Sequence, residues 1–347
     1  MIAEAIRTAV EGTHLSRELA AGAIDAMLEG QATEAQMAAL LVALRMKGET
    51  IDEIVGAAQA LRRRAQRVDV NDTARERLID TCGTGGDGAH TFNISTTAAF
   101  VAAAGGAFVA KHGNRAVSSQ CGSADVLAAL GVELELTPAN VGACIEEVGI
   151  GFLFAPRHHA ATRHVAPVRK MLGLRTVFNL LGPLVNPAGA RRQVMGVYAH
   201  ALVPVVARTL VELGCDRAFV VHGSGLDELT LAGSTRVCEV RDGSVREFEV
   251  VPEQLGLSRA PIEALRGGDA KTNADILRAV LRGENGPRRD AVVLNAGAAL
   301  AAAGLCEALR EGLELARKAI DSGAALDRQE RLVAISKQKK LAEGSAS

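Results

Sequence analysis

The stretch DTCGTGGDGAHTFNISTTAAFVAAAGGAFVAKHGNRAVSSQCGSAD, residues 80–125 of 347, decides the fold of this chain. Its glycine-rich turn precedes the hydroxyl-rich residues 93–97, a small-residue helix predicted at 98–104, and an apolar strand at 107–110 that ends in KHGNR. Closely spaced glycines let several backbone N–H groups point at one place, which favours a bound anion. Hydroxyl groups just before a helix cap its N-terminus, which also attracts phosphate. The stretch therefore predicts a strand, turn, helix and strand that together bind a ligand with several phosphates.

The glycine-rich turn at 83–88 does not have the spacing of two common phosphate motifs. It lacks the GxxxxGK[ST] pattern of a P-loop, and Gly88 comes too early for GxGxxG. A glycine-rich turn alone is common in α/β proteins and is weak evidence for phosphate. The prediction depends on its combination with NIST and with Lys111 and Arg115, which add full positive charge.

Residues 1–70 are predicted to be all helical. Thr33 with Gln36 and Thr50 with Glu53 form capping-box pairs, and Gly48 is placed to end the helix between them. Apolar residues around these pairs recur at helical spacing. Four short helices form too small a core to stand alone, so we expect them to pack on the rest of the chain or on another subunit.

Residues 71–347 show a repeated pattern of apolar strand, loop and helix. Strands are predicted at 78–81, 107–110, 150–154, 193–199, 217–222 and 291–294, with a hairpin at 235–250 around Asp242-Gly243. This alternation predicts a mainly parallel sheet covered by helices on both faces. The fold class is therefore α/β, with a small N-terminal all-helical domain and a larger domain that has a mainly parallel central sheet flanked by helices. Ligands of such sheets bind at the carboxyl ends of the strands.

The composition excludes several classes of partner. Lys and Arg total 39 against 40 Asp and Glu, which argues against bulk binding to nucleic acid or to a membrane surface. The six cysteines show neither a CxxC pair nor zinc spacing, which indicates reduced thiols. The N-terminus lacks the pattern of a signal peptide, and the longest small or apolar run, 98–110, is too short to cross a bilayer. These features predict a cytoplasmic protein without a nucleic-acid or membrane partner.

Four strings of the sequence resemble the anthranilate phosphoribosyltransferase family of tryptophan biosynthesis. They are GTGGDGAHTFNIST at 83–96, KHGNRAVSS at 111–119, GSADVLAALG at 122–131 and PVRKMLGLRTVFNLLGPLVNP at 167–187. The resemblance implies a magnesium-dependent transferase that moves the phosphoribosyl group of phosphoribosyl pyrophosphate to anthranilate. It also implies a homodimer formed through a helical domain at 1–70, a phosphoribosyl-pyrophosphate-binding domain at 71–347, and helices near 165–185 that pack with the small domain.

The same resemblance assigns site residues. The residues that it implies for phosphoribosyl pyrophosphate are Gly83, Gly86, Asp87, Thr91, Asn93, Ile94, Ser95, Thr96, Lys111, His112, Gly113, Asn114, Arg115, Ala116, Val117, Ser118, Ser119 and Ser123. Those implied for anthranilate are Gly83, Asn114 and Arg169, and those for the metal are Ser95, Asp227 and Glu228. Two Mg²⁺ ions, held largely by the substrate, are expected.

These assignments agree with the chemistry of the side chains. Asp227 and Glu228 follow a predicted strand, and magnesium prefers carboxylate oxygen together with substrate phosphate. The Arg169 guanidinium can bind a carboxylate through two hydrogen bonds. The amine of anthranilate is already neutral at physiological pH, so no residue is assigned as a general base. His112 is expected to line the site, and catalysis is expected to come from positioning and charge stabilisation.

One segment departs from the family pattern, and three alternative functions stay open. The family often has proline after its second adjacent histidine and a methionine soon after, whereas this chain has Ala160 and Thr162. The substitutions put anthranilate affinity in question. Pyrimidine nucleoside phosphorylases share the expected fold but have a different lysine loop. A nucleic-acid-binding relative would require a basic surface and a damaged acidic pair, and a scaffold role would leave the phosphate motifs unexplained.

Overall fold

The computed structural model describes residues 1–116 and 120–345. Its first four helices are α1 (Ile2–Val10), α2 (Arg17–Leu28), α3 (Glu34–Lys47) and α4 (Ile51–Arg64). Both predicted capping boxes are present, since Thr33 and Thr50 cap α3 and α4 together with the side chains of Gln36 and Glu53. Gly48 ends α3 with a φ of 86°, a backbone conformation that favours glycine. The all-helical prediction for this region is confirmed.

Seven strands alternate with helices in the rest of the described chain. The strands are β1 (Leu78–Gly83), β2 (Phe108–Gly113), β3 (Ile150–Phe154), β4 (Arg192–Gly196), β5 (Arg217–Gly223), β6 (Thr235–Arg241) and β7 (Ser244–Val250). The helices are α5 (Asp72–Arg75), α6 (Ile94–Ala104), α7 (Ser123–Leu130), α8 (Pro138–Val148), α9 (Ala155–His158), α10 (Ala166–Leu172), α11 (Phe178–Leu184), α12 (Leu202–Glu212), α13 (Ala270–Leu281), α14 (Pro287–Ala302), α15 (Leu309–Asp321) and α16 (Ala324–Ser345). None of the helices described is both long and apolar enough to cross a bilayer.

The strands form one sheet in the order β3-β2-β1-β4-β5-β6-β7. The five strands from β3 to β5 are parallel, and β6 and β7 are added antiparallel. The predicted hairpin is confirmed, with Asp242 and Gly243 at positive φ in its two-residue turn. The sheet is therefore mainly parallel, as predicted, and it brings the ends of β1, β2, β4 and β5 to one edge.

The strand predicted at 291–294 is wrong, because these residues lie inside α14. Every residue from Ala291 to Ala302 is buried, so this part of the helix has no exposed face and no polar stripe that would mark a helical period. Gly297 of α14 lies so close to Gly312 of α15 that a side chain on either would collide with the other helix. A short apolar run of this kind looks the same in a buried helix and in a buried strand.

Two hydrophobic cores stabilise the chain. The larger one surrounds α6, α7, α8 and α14 and one face of the sheet. The second combines the four N-terminal helices with α10, α11, α12 and residues such as Met195 and Val220 of β4 and β5. Val168 of α10 and Leu181 of α11 thus share a core with the helical region.

Candidate active site

Three neighbouring strands, β1, β4 and β5, end in glycine, and an acidic segment crosses these ends. A Cβ atom on Gly83 would collide with the Asp227 carboxylate, and one on Gly196 would collide with the Asp227 backbone. A Cβ atom on Gly223 would lie 2.5 Å from the carbonyl oxygen of Glu228. The acidic pair can lie against the sheet edge only because these positions have no side chain. The sequence predictions missed both Gly196, which lies in the middle of the strand predicted at 193–199, and Gly223, which directly follows the strand predicted at 217–222.

The Asp227 carboxylate contacts the glycine-rich turn directly. The N–H of Gly85 donates to Asp227 Oδ2 over 2.6 Å, and the N–H of Asp227 faces Asp87 Oδ2 at 3.5 Å. Gly85 and Gly86 have φ values of 65° and 76°, so the turn requires glycine at both positions. The metal and phosphate residues predicted from the sequence therefore meet here.

Glu228 reaches the start of α6. The N–H of Ser95 donates to Glu228 Oε1 over 3.1 Å. The buried Lys111 ammonium donates to the carbonyl oxygen of Thr81 and lies 3.5 Å from Ser95 Oγ. All three predicted metal residues thus lie in one group beside a buried lysine.

Both carboxyl groups of the acidic pair have raised pKa values. Burial is the largest cause for each; the neighbouring Asp87 adds to the shift of Asp227, and Asp227 adds to that of Glu228. Burial is also the largest cause of the lowered pKa of Lys111, the cation nearest to the pair. A hard cation would remove this electrostatic cost, and carboxylate oxygens are the ligands that Mg²⁺ prefers. Within the described ranges, no three His, Cys, Asp or Glu side chains are grouped so as to hold a metal.

The side chain of Asn93 connects three segments at the start of α6. Its Oδ1 accepts from Asn273 Nδ2 of α13 at 2.9 Å, and its Nδ2 donates to the carbonyl oxygen of Cys121 at 3.3 Å. Asn273 is buried and also accepts the N–H of Gly268. Asn273 was not predicted as a site residue, because 180 residues separate it from Asn93.

The loop after β2 is held by the beginning of α7. The carboxylate of Asp125 accepts the N–H of Ala116 over 2.9 Å and the Arg115 guanidinium over 3.0 Å. The carbonyl oxygen of Asn114 accepts from Ser123 Oγ at 3.4 Å. Three further predicted residues of this loop, Val117, Ser118 and Ser119, lie outside the described residues.

The other predicted phosphate residues occupy the same strand ends and helix starts. Gly83 is the last residue of β1, and Lys111, His112 and Gly113 are the last three of β2. Gly86 and Asp87 lie in the glycine-rich turn, and Ile94, Ser95 and Thr96 begin α6. Thr91, between the turn and α6, forms an isolated β-bridge with Arg266. The sheet thus assembles residues that lie far apart in the sequence.

Arg169 lies on α10, apart from the phosphate loops. Its guanidinium is 5.4 Å from the ring centroid of Phe178, and burial lowers its pKa. Among the described residues no hydrogen bond or ion pair joins Arg169 to Gly83 or Asn114, the other residues predicted for anthranilate. A half-buried guanidinium without a carboxylate partner is suited to an anionic ligand.

Two buried histidines stand between α9 and α11. The rings of His112 and His159 are 5.1 Å apart, and burial lowers the pKa of His112 to about 3 and that of His159 to about 4. Both are therefore neutral at physiological pH. Thr162, one of the departures from the family pattern, donates its hydroxyl to the carbonyl oxygen of His159 over 2.7 Å.

Two further polar residues of the site were missed by the sequence predictions. Asn186 donates its amide to Asp80 Oδ2 at 2.7 Å and to the carbonyl oxygen of Ala110 at 2.8 Å, which ties β1 to β2 below the site. Arg175 donates to the carbonyl oxygen of Gly86 in the glycine-rich turn. Both lie within the string at 167–187 that resembles the family, and no local pattern distinguishes them there.

Comparisons with known proteins match the whole described architecture. The α/β domain of a glycosyl transferase family matches residues 75–326, and the helical bundle domain of a glycosyl transferase family matches residues 3–65. The chain is 58% identical to an anthranilate phosphoribosyltransferase from Anaeromyxobacter sp. (strain K), covering 96% of this chain and 98% of the relative. It is 57% identical to the enzyme of that name from Symbiobacterium thermophilum, covering 92% and 93%.

Solved structures agree with these relatives. An anthranilate phosphoribosyltransferase from Thermus thermophilus superimposes with a TM-score of 0.91 at 50% identity, covering 96% of this chain and 99% of that one. The enzyme from Saccharomyces cerevisiae in complex with PRPP and Mg superimposes with a TM-score of 0.88 at 29% identity, covering 97% and 98%.

Replacing Gly196 tests the packing of the acidic segment. In Gly196→Ala the new methyl group cannot coexist with the Asp227 backbone, so we expect a loss of about 1–3 kcal/mol in the free energy of unfolding. The Gly85 amide should also exchange faster with solvent, because its acceptor moves. Urea denaturation and hydrogen exchange measure the two effects. Gly344→Ala, in open space on α16, is the control; equal behaviour of both variants would contradict the packing described.

Proposed function

This chain belongs to the anthranilate phosphoribosyltransferase family, and we propose a role for each part of its site in that reaction. The enzyme transfers the 5-phosphoribosyl group from phosphoribosyl pyrophosphate to the amine of anthranilate, which gives N-(5-phosphoribosyl)anthranilate and pyrophosphate in tryptophan biosynthesis. The observation that carries the assignment of roles is the contact of the buried Asp227-Glu228 pair with both the glycine-rich turn and the start of α6.

The glycine-rich turn, the start of α6 and the loop after β2 are proposed to bind phosphoribosyl pyrophosphate. Backbone N–H groups of the turn and helix would donate to the phosphates, and Lys111 and Arg115 would contribute charge. Val117, Ser118 and Ser119 belong to this proposal through their place in KHGNRAVSS. The support is that the described members converge at one sheet edge.

Ser95, Asp227 and Glu228 are proposed to hold magnesium. Two carboxylates and one hydroxyl fill only part of an octahedral coordination sphere, so substrate phosphate and water would complete it. Bound magnesium would neutralise negative charge that develops on the leaving pyrophosphate. Two ions per site are proposed, and magnesium titration by calorimetry with phosphoribosyl pyrophosphate present would count them.

Arg169 is proposed to bind the carboxylate of anthranilate and so to aim its amine at C1 of the ribose. The bond from C1 to pyrophosphate breaks with its electron pair on the leaving group, and the amine nitrogen forms the new bond and then loses a proton to water. With a pKa of about 3, His112 is a weak proton acceptor, so no general base is assigned. Rate enhancement is attributed to positioning and charge stabilisation.

A homodimer formed through the helical domain is also proposed, with the domain boundary near residue 70. The two family matches end at 65 and begin at 75, which supports that boundary. Met46 of α3 and Val10 of α1 are 83% and 70% exposed, which supports an apolar contact surface there. A cytoplasmic location remains part of the proposal, and fractionation of the cells that express the protein would test it.

Arg169→Ala tests the acceptor site and the reaction together. The fall of anthranilate fluorescence with phosphoribosyl pyrophosphate and Mg²⁺ measures turnover. Loss of a charged hydrogen-bonding partner, about 1.5–3 kcal/mol, should raise KM for anthranilate about 10- to 100-fold and leave KM for phosphoribosyl pyrophosphate nearly unchanged. The exposed neighbour Lys170→Ala is the control. Phosphate-dependent cleavage of thymidine or uridine by wild type, without anthranilate turnover, would instead indicate a nucleoside phosphorylase.

Glu228→Gln tests the metal role. The amide keeps the size of the side chain but loses its charge, so we expect a higher magnesium concentration for half-maximal rate and at least about a 10-fold lower kcat/KM. Asp242→Asn, at the exposed hairpin turn, should behave as wild type. An unchanged magnesium dependence in Glu228→Gln would remove this residue from the proposed metal site.

The dimer proposal predicts a sedimentation mass of about twice the 36.1 kDa of one chain. Met46→Glu should shift the equilibrium towards monomer, because a charge would be buried at the proposed contact. Leu341→Glu, at an exposed position of α16, should leave the mass unchanged. A monomeric wild-type protein at micromolar concentration would contradict the dimer.

A further inference from the structure

Arg175 lies in the connection between α10 and α11 and contacts the glycine-rich turn. Its guanidinium donates a hydrogen bond to the carbonyl oxygen of Gly86, and a Cβ atom built on Gly86 would lie 3.5 Å from Arg175 Nε. Any phosphate that accepts N–H groups of this turn would therefore bind within a few ångströms of the guanidinium. Arg175 is outside the set of site residues that the sequence predicted.

The guanidinium is held in place by its neighbours. It stacks on Tyr198, with 4.4 Å from its central carbon to the ring centroid. The N–H of Tyr198 donates to Thr84 Oγ1 over 3.0 Å, and the N–H of Thr84 donates to the carbonyl oxygen of Gly196 over 3.0 Å. Arg175 and its stacking partner are thus both bonded to the turn.

The charges at this edge of the sheet indicate what kind of ligand Arg175 could bind. Three carboxylates, Asp87, Asp227 and Glu228, lie at the turn, whereas Lys111 is buried and donates to a backbone carbonyl. Arg115 is paired with Asp125. Arg175 forms no ion pair with any carboxylate of residues 1–116 or 120–345. It is therefore an uncompensated cation beside a turn suited to a highly charged anion.

We propose that Arg175 binds the pyrophosphate group of phosphoribosyl pyrophosphate, an inference that rests on the proposed function. A guanidinium offers five donors in a planar fork, so it can donate to phosphate oxygens and still contact the turn. Stacking on Tyr198 restricts the side chain before the substrate binds, which lowers the entropy cost of binding.

The chain provides its own spectroscopic probe for this contact. Tyr198 is the only tyrosine and there is no tryptophan, so intrinsic tyrosine fluorescence reports solely on the stacking partner of Arg175. Titration of wild type with magnesium pyrophosphate should give a saturable fluorescence change. In Arg175→Gln the same titration should require about a 10-fold or higher concentration, because the amide keeps a donor for Gly86 but loses the charge.

Steady-state kinetics complete the test. Arg175→Gln should raise KM for phosphoribosyl pyrophosphate about 10- to 100-fold with KM for anthranilate unchanged, and Arg175→Lys should recover part of the loss. Arg191→Gln, an exposed arginine at the opposite end of β4 that pairs with Asp216, is the matched control. Thermal denaturation with circular dichroism confirms that each variant is folded.

Three outcomes would overturn the proposal, and a fourth would separate it from the proposed function. If Arg175→Gln matches wild type while Arg175→Ala is impaired, the residue only holds the turn. A rise in KM for anthranilate alone would assign Arg175 to the acceptor, and unchanged pyrophosphate affinity would exclude it from both sites. A wild-type protein that binds magnesium pyrophosphate but makes no product would refute the proposed function and leave the binding result for Arg175 intact.

Discussion

The site depends on one close backbone contact, the passage of the Asp227-Glu228 segment across glycine-ended strands. The backbone of Asp227 occupies the space that any side chain at Gly196 would fill. From there the two carboxylates reach the N–H groups of Gly85 and Ser95, which belong to the segments proposed to bind phosphate. The carboxylates proposed to hold the cation are therefore in direct contact with the backbone N–H groups proposed to bind phosphate.

The parts of the fold that local chemistry determines could be predicted from the sequence. The capping boxes at Thr33 and Thr50 correctly predicted the starts of two helices, and Asp242-Gly243 correctly predicted the hairpin turn. Each of these features depends on residues only a few positions apart. The segment 291–294 was assigned wrongly because complete burial in α14 removes the polar face that reveals a helix. Burial on all sides is a tertiary property that a local pattern does not contain.

The residues of the candidate site also divide into those that the local sequence identifies and those that it does not. The glycine-rich turn and the loop after β2 could be identified from the sequence as anion-binding segments. Arg169 could be assigned only through the resemblance to the family. Gly196, Asn273 and Arg175 were missed because their contacts depend on residues 31, 180 and 89 positions away. Gly196 shows no positive φ, so only the approach of Asp227 explains the need for glycine there.

The two hydrophobic cores explain how one short segment can reach both proposed substrate sites. Arg169 lies on α10, which packs with the N-terminal helices in the second core, whereas the glycine-rich turn leaves β1, which packs in the first. Gly173, in a left-handed conformation at the end of α10, turns the chain towards Arg175 and the glycine-rich turn. A few residues thus separate the Arg169 guanidinium, which is suited to a carboxylate, from the Arg175 guanidinium, which contacts the glycine-rich turn. Any shift of the helical region relative to the sheet would change the distance between these two guanidinium groups, so the packing of the second core sets their separation.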